Sequence, residues 1–523
     1  MPRPLTSRHV LESLRDAFRQ QLLLQQTDPA DPQFGGIVNL DSSLATARRT
    51  GHLLSAALYL LTDDPDCLDE STMRRLRQAA DYLQGVLRPT GRFDEPDCNI
   101  DSGPATAFIL QELLPAMTAA RDAAPRPCGD LLAGLDSLAG RAMTGLHDGG
   151  FHTPNHRWVW ASALAQAADW LGTAPPAVLE DILAEGIDID DDGAFLERSI
   201  ESYDGVTNLS LLLLHRHTRW DAALPAVRKN LHMDTHLLHA DGTVDTCLSR
   251  RWGGVGRAPL PLAAAALAAA GETGEGAFAA MGRSLWSASP AGDLRGLVWL
   301  AWARHHYPDA LDMPGELPTD FTRPFPANGL WRHRKDDVSV SVLASSRNLL
   351  TMRNGGAQLA RTTIRFSYFG AAGDFVGSFG RAEPAGAELH FDGRRMPRRP
   401  AYEMPLGEPV DPAEWGAALQ RRSQRAVEPQ EATLSVTPQD SGVRLRLQNL
   451  GGLAGTPAQI AFDFVPGGRW ESTCDLFHPS AGGSIVLRGG WGQMRYGAHA
   501  IRIAPQWNPA EAPCHTWGEM RDS

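Results

Sequence analysis

Asn155, His156, Arg157 and Trp158 stand in a row in GGFHTPNHRWVWASALA, residues 149–165. Pro154 suits the first position of a helix, where its missing N–H costs nothing, and Thr153 suits the N-cap before it. Asn155 and His156 then fall in the first turn, where unpaired backbone N–H groups and the helix dipole favour an anion such as a carboxylate. Neighbouring helical residues point about 100° apart. Both side chains can therefore face one cleft only at the helix end, where Pro154 puts them. A capped helix with a polar first turn accounts for the same residues without any function.

Three more polar clusters invite chemistry. GIDIDDDGAFLERSIESYDG (186–205) places Asp188, Asp190, Asp191 and Asp192 before Gly193 in the DxDxDG spacing of a calcium loop. The closing Glu of an EF-hand would fall at Ser199, so no metal is expected. Glu197, Arg198 and Tyr203 remain, leading into a helix; a single Tyr is more often a buried ring with a bonded hydroxyl than an acid or base. DGTVDTCLSRRWGGVGR (241–257) sets Arg250, Arg251 and Trp252 on a glycine-flanked loop. Guanidinium pairs bidentately with carboxylate and an indole packs on a pyranose, so the trio suits an acidic sugar, although a solvated arginine pair is the plainer reading. GRFDEPDCNIDSGPATAF (91–108) puts Asn99 and Asp101 before a helix capped by Ser102.

Each cluster lies in a connection between helices. Apolar residues at three- and four-residue spacing mark helices at 44–61, 72–87, 105–120, 155–171, 205–217, 223–238, 259–270, 276–288 and 294–306. Helices in pairs suggest stacked αα-hairpins, in a solenoid or a closed toroid, whose loops at one end would rim one cleft. After the Pro-rich stretch 313–329 the pattern becomes alternating, at 338–345, 432–438, 443–450, 459–466 and 499–506, as in an antiparallel β-sandwich. The expected organisation is a helical domain over 1–312, a linker over 313–329 and a β-sandwich over 330–523. Charge follows the same division, −15 over residues 1–323 and +3 over 324–523.

The net charge of −12 in 523 residues argues against nucleic acid as partner. No run approaches the roughly 18 apolar residues of a membrane span, and no signal-type core opens the chain, so the expected setting is cytoplasmic, or exported if a leader was removed. Six cysteines without a CxxC pair read as free thiols.

With helical hairpins before a sandwich, an Asn-His pair opening a central helix and DGAFLERSIESY at 192–203, the chain resembles the heparinase II/III-type and related polysaccharide lyases. That resemblance implies an (α/α) toroid followed by an antiparallel β-sandwich, no cofactor, and an acidic, uronate-containing carbohydrate as substrate. It implies that Asn155, with His156, neutralises the substrate carboxylate, that Tyr203 is acid and base, and that a β-domain histidine assists, for which His333 in GLWRHRKDD is the loose match. Arg157, Trp158, Glu197, Arg198, Arg250, Arg251, Trp252, Asn99 and Asp101 are the candidate substrate-binding residues. The expected reaction is β-elimination at C4 of a uronic acid, glucuronate-type and including rhamnose-linked glucuronate. A tyrosine of ordinary pKa, about 10, is a poor base in water; arginines and a histidine nearby change that. Two rivals stay open: a glycoside hydrolase recruiting two carboxylates from Asp101, Asp188 and Glu197, and a non-catalytic glycan-binding protein.

Overall fold

A computed structural model describes residues 3–96, 98–123, 129–251, 256–368, 371–395, 401–452, 456, 458–473, 485, 487 and 490–506. The chain divides into two compact units, Met1–Leu238 with Gly242–Pro318, and His239–Asp241 with Thr319–Ser523.

The first unit has twelve α-helices among the described residues: α1 Ser7–Leu22, α2 Ala47–Asp63, α3 Glu70–Val86, α4 Gly103–Asp122, α5 Gly129–Leu146, α6 Pro154–Leu171, α7 Ala177–Ala184, α8 Tyr203–Thr218, α9 Ala223–His236, α10 Leu260–Thr273, α11 Gly276–Ala288 and α12 Leu294–His306. Two kinds alternate. In α3 only one stripe (Met73, Leu76, Ala79, Ala80, Tyr82, Leu83) is buried, whereas α4 and α10 are buried on nearly every side. A helix apolar all round belongs inside a larger assembly. The buried set forms the inner layer: α2 packs on α4, α4 on α6, α6 on α8, α8 on α10, α10 on α12, and α12 returns to α2. The ring that the sequence left open as solenoid or toroid is therefore closed.

Polar bonds fix the ring's register. Gln111 in the middle of α4 donates from Nε2 to Ser162 Oγ of α6 at 2.8 Å and to Ser210 Oγ of α8 at 2.6 Å. At the start of the helices, a Cβ on Gly205 of α8 would meet the backbone N of Leu262 in α10 at 2.6 Å, and one on Gly296 of α12 would meet Leu260 at 2.4 Å. First turns meet first turns and middles meet middles, so the inner helices run the same way and their N-termini share one mouth. Thr46, Ser102 and Asp293 cap α2, α4 and α12 there through their side chains.

In the second unit two antiparallel sheets share one core. The larger runs in the order Ala371–Asp374, Ala357–Tyr368, Leu350–Asn354, Val338–Leu343, Leu330–Lys335, Asp320–Phe325, with Ala458–Phe464 also on Ala357–Tyr368. The second is Ser378–Glu383, Gly386–Asp392, Glu431–Gln439, Gly442–Gly451. Strand alternation sends Val338, Val340 and Val342 of one and Leu389, Phe391, Leu434 and Val436 of the other into that core. The sandwich is as expected, but its start is not. Asp320–Phe325, inside the stretch read as linker, is an edge strand, and the unit boundary falls at Pro318/Thr319. Prolines obscured it; Pro324 is tolerated because an edge strand can forgo a ladder donor. Cys67, Cys98 and Cys247 are free thiols; Cys128, Cys474 and Cys514 lie outside the described residues.

Because its neighbour at Gly205 is backbone rather than a movable side chain, Gly205→Ala is expected to cost about 1–3 kcal/mol by overpacking the α8–α10 joint. Chemical denaturation would read this as a lower midpoint with an unchanged slope; an unchanged midpoint would mean that the joint is loose.

Candidate active site

The mouth of the ring brings several expected residues together. Pro154 opens α6 and Thr153 occupies the N-cap, yet Thr153 does not cap. Its hydroxyl bonds instead to Asn155 Oδ1 at 3.1 Å, and the vacant capping role passes to Glu197, whose Oε2 accepts from the backbone N of Asn155 at 3.2 Å. With Oδ1 taken by Thr153, the Asn155 amide presents Nδ2 as donor. Asn155 is 1% exposed, and Nδ2 makes no well-aligned hydrogen bond, although it lies near enough to the Glu197 carboxylate to favour its charge.

Around this amide sit a histidine, an arginine and a tyrosine. Burial, then the nearby His152, Arg48 and Arg251, lowers His156 to about 4, so its imidazole is neutral at neutral pH. The ring stands edge-on to Phe108 at 5.5 Å, and its Nδ1 has no hydrogen-bond partner. Arg251 reaches Glu197 Oε1 at 3.8 Å and lies 5.4 Å from the centre of the Tyr203 ring. Tyr203 is the first residue of α8, as Asn155 is the second of α6. Burial raises the Glu197 pKa, against the opposing pull of the Asn155 N–H and Arg251.

Behind Tyr203 the sequence hid a buried acid pair. Asp204 and Asp234 are 4% and 1% exposed. Burial raises both; Glu201 and Glu197 add to it at Asp204, and Asp204 adds to it at Asp234, so the pair holds its protons more tightly than ordinary carboxyls. Asn208 donates to Asn230 Oδ1 at 2.6 Å and Asn230 to Gly193 O at 2.9 Å, tying the 188–193 loop to α8 and α9. Glu201, accepting from the Ser249 hydroxyl, completes the acidic wall.

Other expected ligands are spent on structure. Arg157 bonds to Glu185 at 2.6 Å and to Gly186 O and Asp188 at 3.1 Å each, and Trp158, 0% exposed, donates to Asp188 at 2.7 Å. Their polar groups are therefore engaged within the protein, and reading them as substrate ligands is corrected. Asp190 Oδ1 accepts the N–H groups of Asp192, Gly193 and Ala194, which explains the aspartate run as a turn. Asp101 pairs with Arg92 at 3.2 Å and accepts from Thr90, so it locks the 93–102 hairpin, while Asn99 donates from Nδ2 to Cys98 Sγ at 3.5 Å. Arg198 and Arg250 lie near each other, beside Asp190 and Asp192. Trp252 is outside the described residues. In the β unit, His333 stacks on Trp331 at 6.0 Å and its Nδ1 bonds with Thr322 Oγ1 at 2.9 Å. On the opposite side of that strand, Arg332 bonds to Ser341 at 2.8 Å, and His239 bonds to Ser339 at 2.7 Å.

The acid pair sets a pH dependence. A carboxyl whose folded pKa is raised stabilises the fold below its unfolded pKa, near 4, and loses that contribution as pH rises through the folded value. Asp234→Asn, which keeps the shape and removes the titration, is expected to flatten the loss of melting temperature between weakly acidic and mildly alkaline pH. A parallel, unflattened profile would show that Asp234 holds its proton no more tightly than an ordinary carboxyl.

No family model and no curated protein sequence matches the chain. Solved structures do. Chondroitin AC lyase of Streptomyces coelicolor A3, in complex with chondroitin sulphate, is 14% identical with a TM-score of 0.52, over 93% of this chain and 71% of that one. Xanthan lyase of Paenibacillus is 9% identical with a TM-score of 0.56, over 93% of this chain and 50% of that one. At such identities the likeness is one of fold, and this chain has the fold of these polysaccharide lyases, as the sequence led one to expect.

Proposed function

We propose that the chain is a polysaccharide or oligosaccharide lyase that breaks the bond at C4 of a glucuronate-type uronic acid, including rhamnose-linked glucuronate, by β-elimination. A base removes the C5 proton, the C4–O electrons leave with the glycosidic oxygen, which takes up a proton, and a C4=C5 double bond conjugated to the carboxylate remains. The observation that carries this reading is the Asn155 amide: its oxygen is held by Thr153, which presents Nδ2 as a donor at a helix N-terminus, beside the Glu197 carboxylate but without a well-aligned hydrogen bond. Neutral donors aimed at a carboxylate stabilise the charge that spreads into it as C5 loses its proton. Arg251 supplies a cation beside them, neutral His156 assists at the carboxylate, and Tyr203 moves the proton. His333, with Nδ1 engaged by Thr322, is given no step. Glu197 orients the first turn of α6 and Arg251 rather than acting itself.

The hydrolase reading needs a second free carboxylate opposite the first. All three of its candidates are engaged: Asp101 and Asp188 in ion pairs at 3.2 and 3.1 Å, and Glu197 by the Asn155 N–H at 3.2 Å and by Arg251 at 3.8 Å. Product chemistry separates the readings: elimination yields an ultraviolet-absorbing unsaturated uronide and hydrolysis does not, so a panel of uronate glycans that is cleaved without such absorbance would end the lyase proposal.

Tyr203→Phe keeps the ring and is expected to lower turnover by at least about 100-fold, and Asn155→Ala by roughly 100- to 1000-fold. Turnover of the folded Phe variant within a few-fold of the parent would remove Tyr203 from the mechanism. His156 is neutral down to about pH 4. The acid limb of kcat/KM is therefore expected to centre near that value, and a limb near the ordinary histidine value of about 6.5 would take His156 out of the site.

A further inference from the structure

Where α12 closes on α2, the ring carries a half-open cavity of about 360 Å³ lined by Arg48, Arg49, His52, Glu95 and Arg295 among others. That volume lies within the range of small-molecule sites. In ring order the α12–α2 seam is opposite the α6–α8 seam that carries Asn155 and Tyr203. Phe108 links the two. Its ring takes His156 edge-on from one side and lies under the Arg48 guanidinium at 4.3 Å and the Arg295 guanidinium at 5.3 Å.

The charges in this cavity are unevenly paired. Glu112, 2% exposed, is consumed by Arg295 Nε at 2.6 Å and by His52 Nε2, also 2.6 Å away though not aligned as a hydrogen bond. Asp293 is consumed in capping α12 at Gly296 N, and Arg49 bonds to Asn39 at 3.0 Å. Arg48 has Glu112 and Glu95 only as more distant counter-charges. It makes no hydrogen bond or ion pair among the described residues, and its Nε is buried without a partner. Burial and the repulsion of Arg295 disfavour its charge, in that order. A guanidinium carries five donors and does not lose its proton in proteins, so an unpaired one in a desolvated pocket is costly. Its position adds to the cost. Arg48 and Arg49 stand in the first turn of α2 and Arg295 in that of α12, at the positive ends of helix dipoles, where anions rather than cations are favoured. Two helix N-termini and an unpaired guanidinium converging on one cavity lack only an anion.

We infer that this cavity is a second acid-recognising subsite, in which Arg48, backed by Arg295 and Arg49, holds the carboxylate or sulfate of a neighbouring sugar of the glycan whose uronate sits at Asn155. The assignment rests on the glycan reading of the site, but not on elimination as its chemistry. It makes the enzyme read two acidic groups along its substrate, one at each seam, and disfavours glycans with a single acidic sugar.

Calorimetric titration of the full chain and of its Arg48→Gln and Arg48→Met variants tests it, with sodium glucuronate, a chondroitin sulphate tetrasaccharide, the desulfated tetrasaccharide and sodium sulfate as probes. Both variants are expected to bind the tetrasaccharides about 10-fold or more weakly, the loss expected for a charged hydrogen bond, and to melt no lower than the parent, because an unpaired cation has been removed. If the desulfated tetrasaccharide shows the same dependence on Arg48, the group held is carboxylate; dependence confined to the sulfated probes makes it sulfate. Affinities within twofold of the parent for all probes, or no binding by the parent at millimolar concentration, would overturn the subsite. Ultraviolet absorbance on the same tetrasaccharides is read separately, so Arg48-dependent binding with cleavage but no absorbance would sink the lyase reading and leave the subsite standing.

Discussion

Everything else in the helical unit follows from the closure of six co-directed inner helices into a ring, pinned at mid-height by Gln111 reaching Ser162 and Ser210. Closure buries each inner helix on almost every side, which is why α4 and α10 can be nearly all apolar. Co-direction puts all their N-termini at one mouth. Each terminus contributes partial positive charge and unpaired N–H groups, so the mouth favours anions even though the chain as a whole carries −12. Surface charge is screened within about 10 Å at ordinary salt, whereas the enclosed mouth is screened less. An acidic glycan held at such a mouth needs no broad basic face.

The same closure explains where the polar costs of the fold collect. Buried polar groups are nearly always paired, and exceptions call for an explanation. In the helical unit several exceptions crowd toward the mouth: Asn155 Nδ2, His156 Nδ1, Arg48 Nε and Glu197 Oε1, with Asp204 and Asp234 behind Tyr203. A fold optimised for stability alone would have paired or removed them. Strain of this kind persists where the surrounding structure over-determines it, and the ring does so here, because Glu197 and Gly193 are fixed by bonds to helices α6 and α9.

Much of this was legible in the sequence, and the rest was not for identifiable reasons. Period-3.6 runs marked the inner helices, and the residues 338–343 announced a strand by their V-S-V-S-V alternation. Asn155 and His156 were legible because Pro154 fixes the helix start. Arg157 and Trp158 were misread because they share that start, yet two helical steps turn Arg157 away from Asn155, and Trp158, on the same face, is buried and bonded to Asp188. The Asp320–Phe325 strand was hidden by prolines that only an edge position permits. Arg48, Glu112 and Arg295 were invisible for a different reason. Their meaning lies in contacts across the ring, such as Arg295 with Glu112, 183 residues apart, which no local pattern encodes.

One local pattern did carry a signal. Cations gather at both ends of the inner helices, but the two ends are not equivalent. At the C-terminal ends, Arg216 closes α8 and Arg304 closes α12, where positive charge offsets the dipole, while burial pushes His217, His305 and His306 down and leaves them neutral. Arg304 is moreover bonded to Asp63, and His217 to Asp169. These residues stabilise the fold and need no ligand to explain them. At the N-terminal ends the same charge opposes the dipole, so Arg48 and Arg49 in α2 and Arg295 in α12 lower stability wherever a carboxylate does not answer them. Glu112 answers Arg295 and nothing bonded to it answers Arg48. An arginine in a first turn, lining a cavity and without a partner, is thus a stronger pointer to a bound acid than any arginine pair on a loop, because the loop pair costs the folded state almost nothing and the first-turn arginine does not.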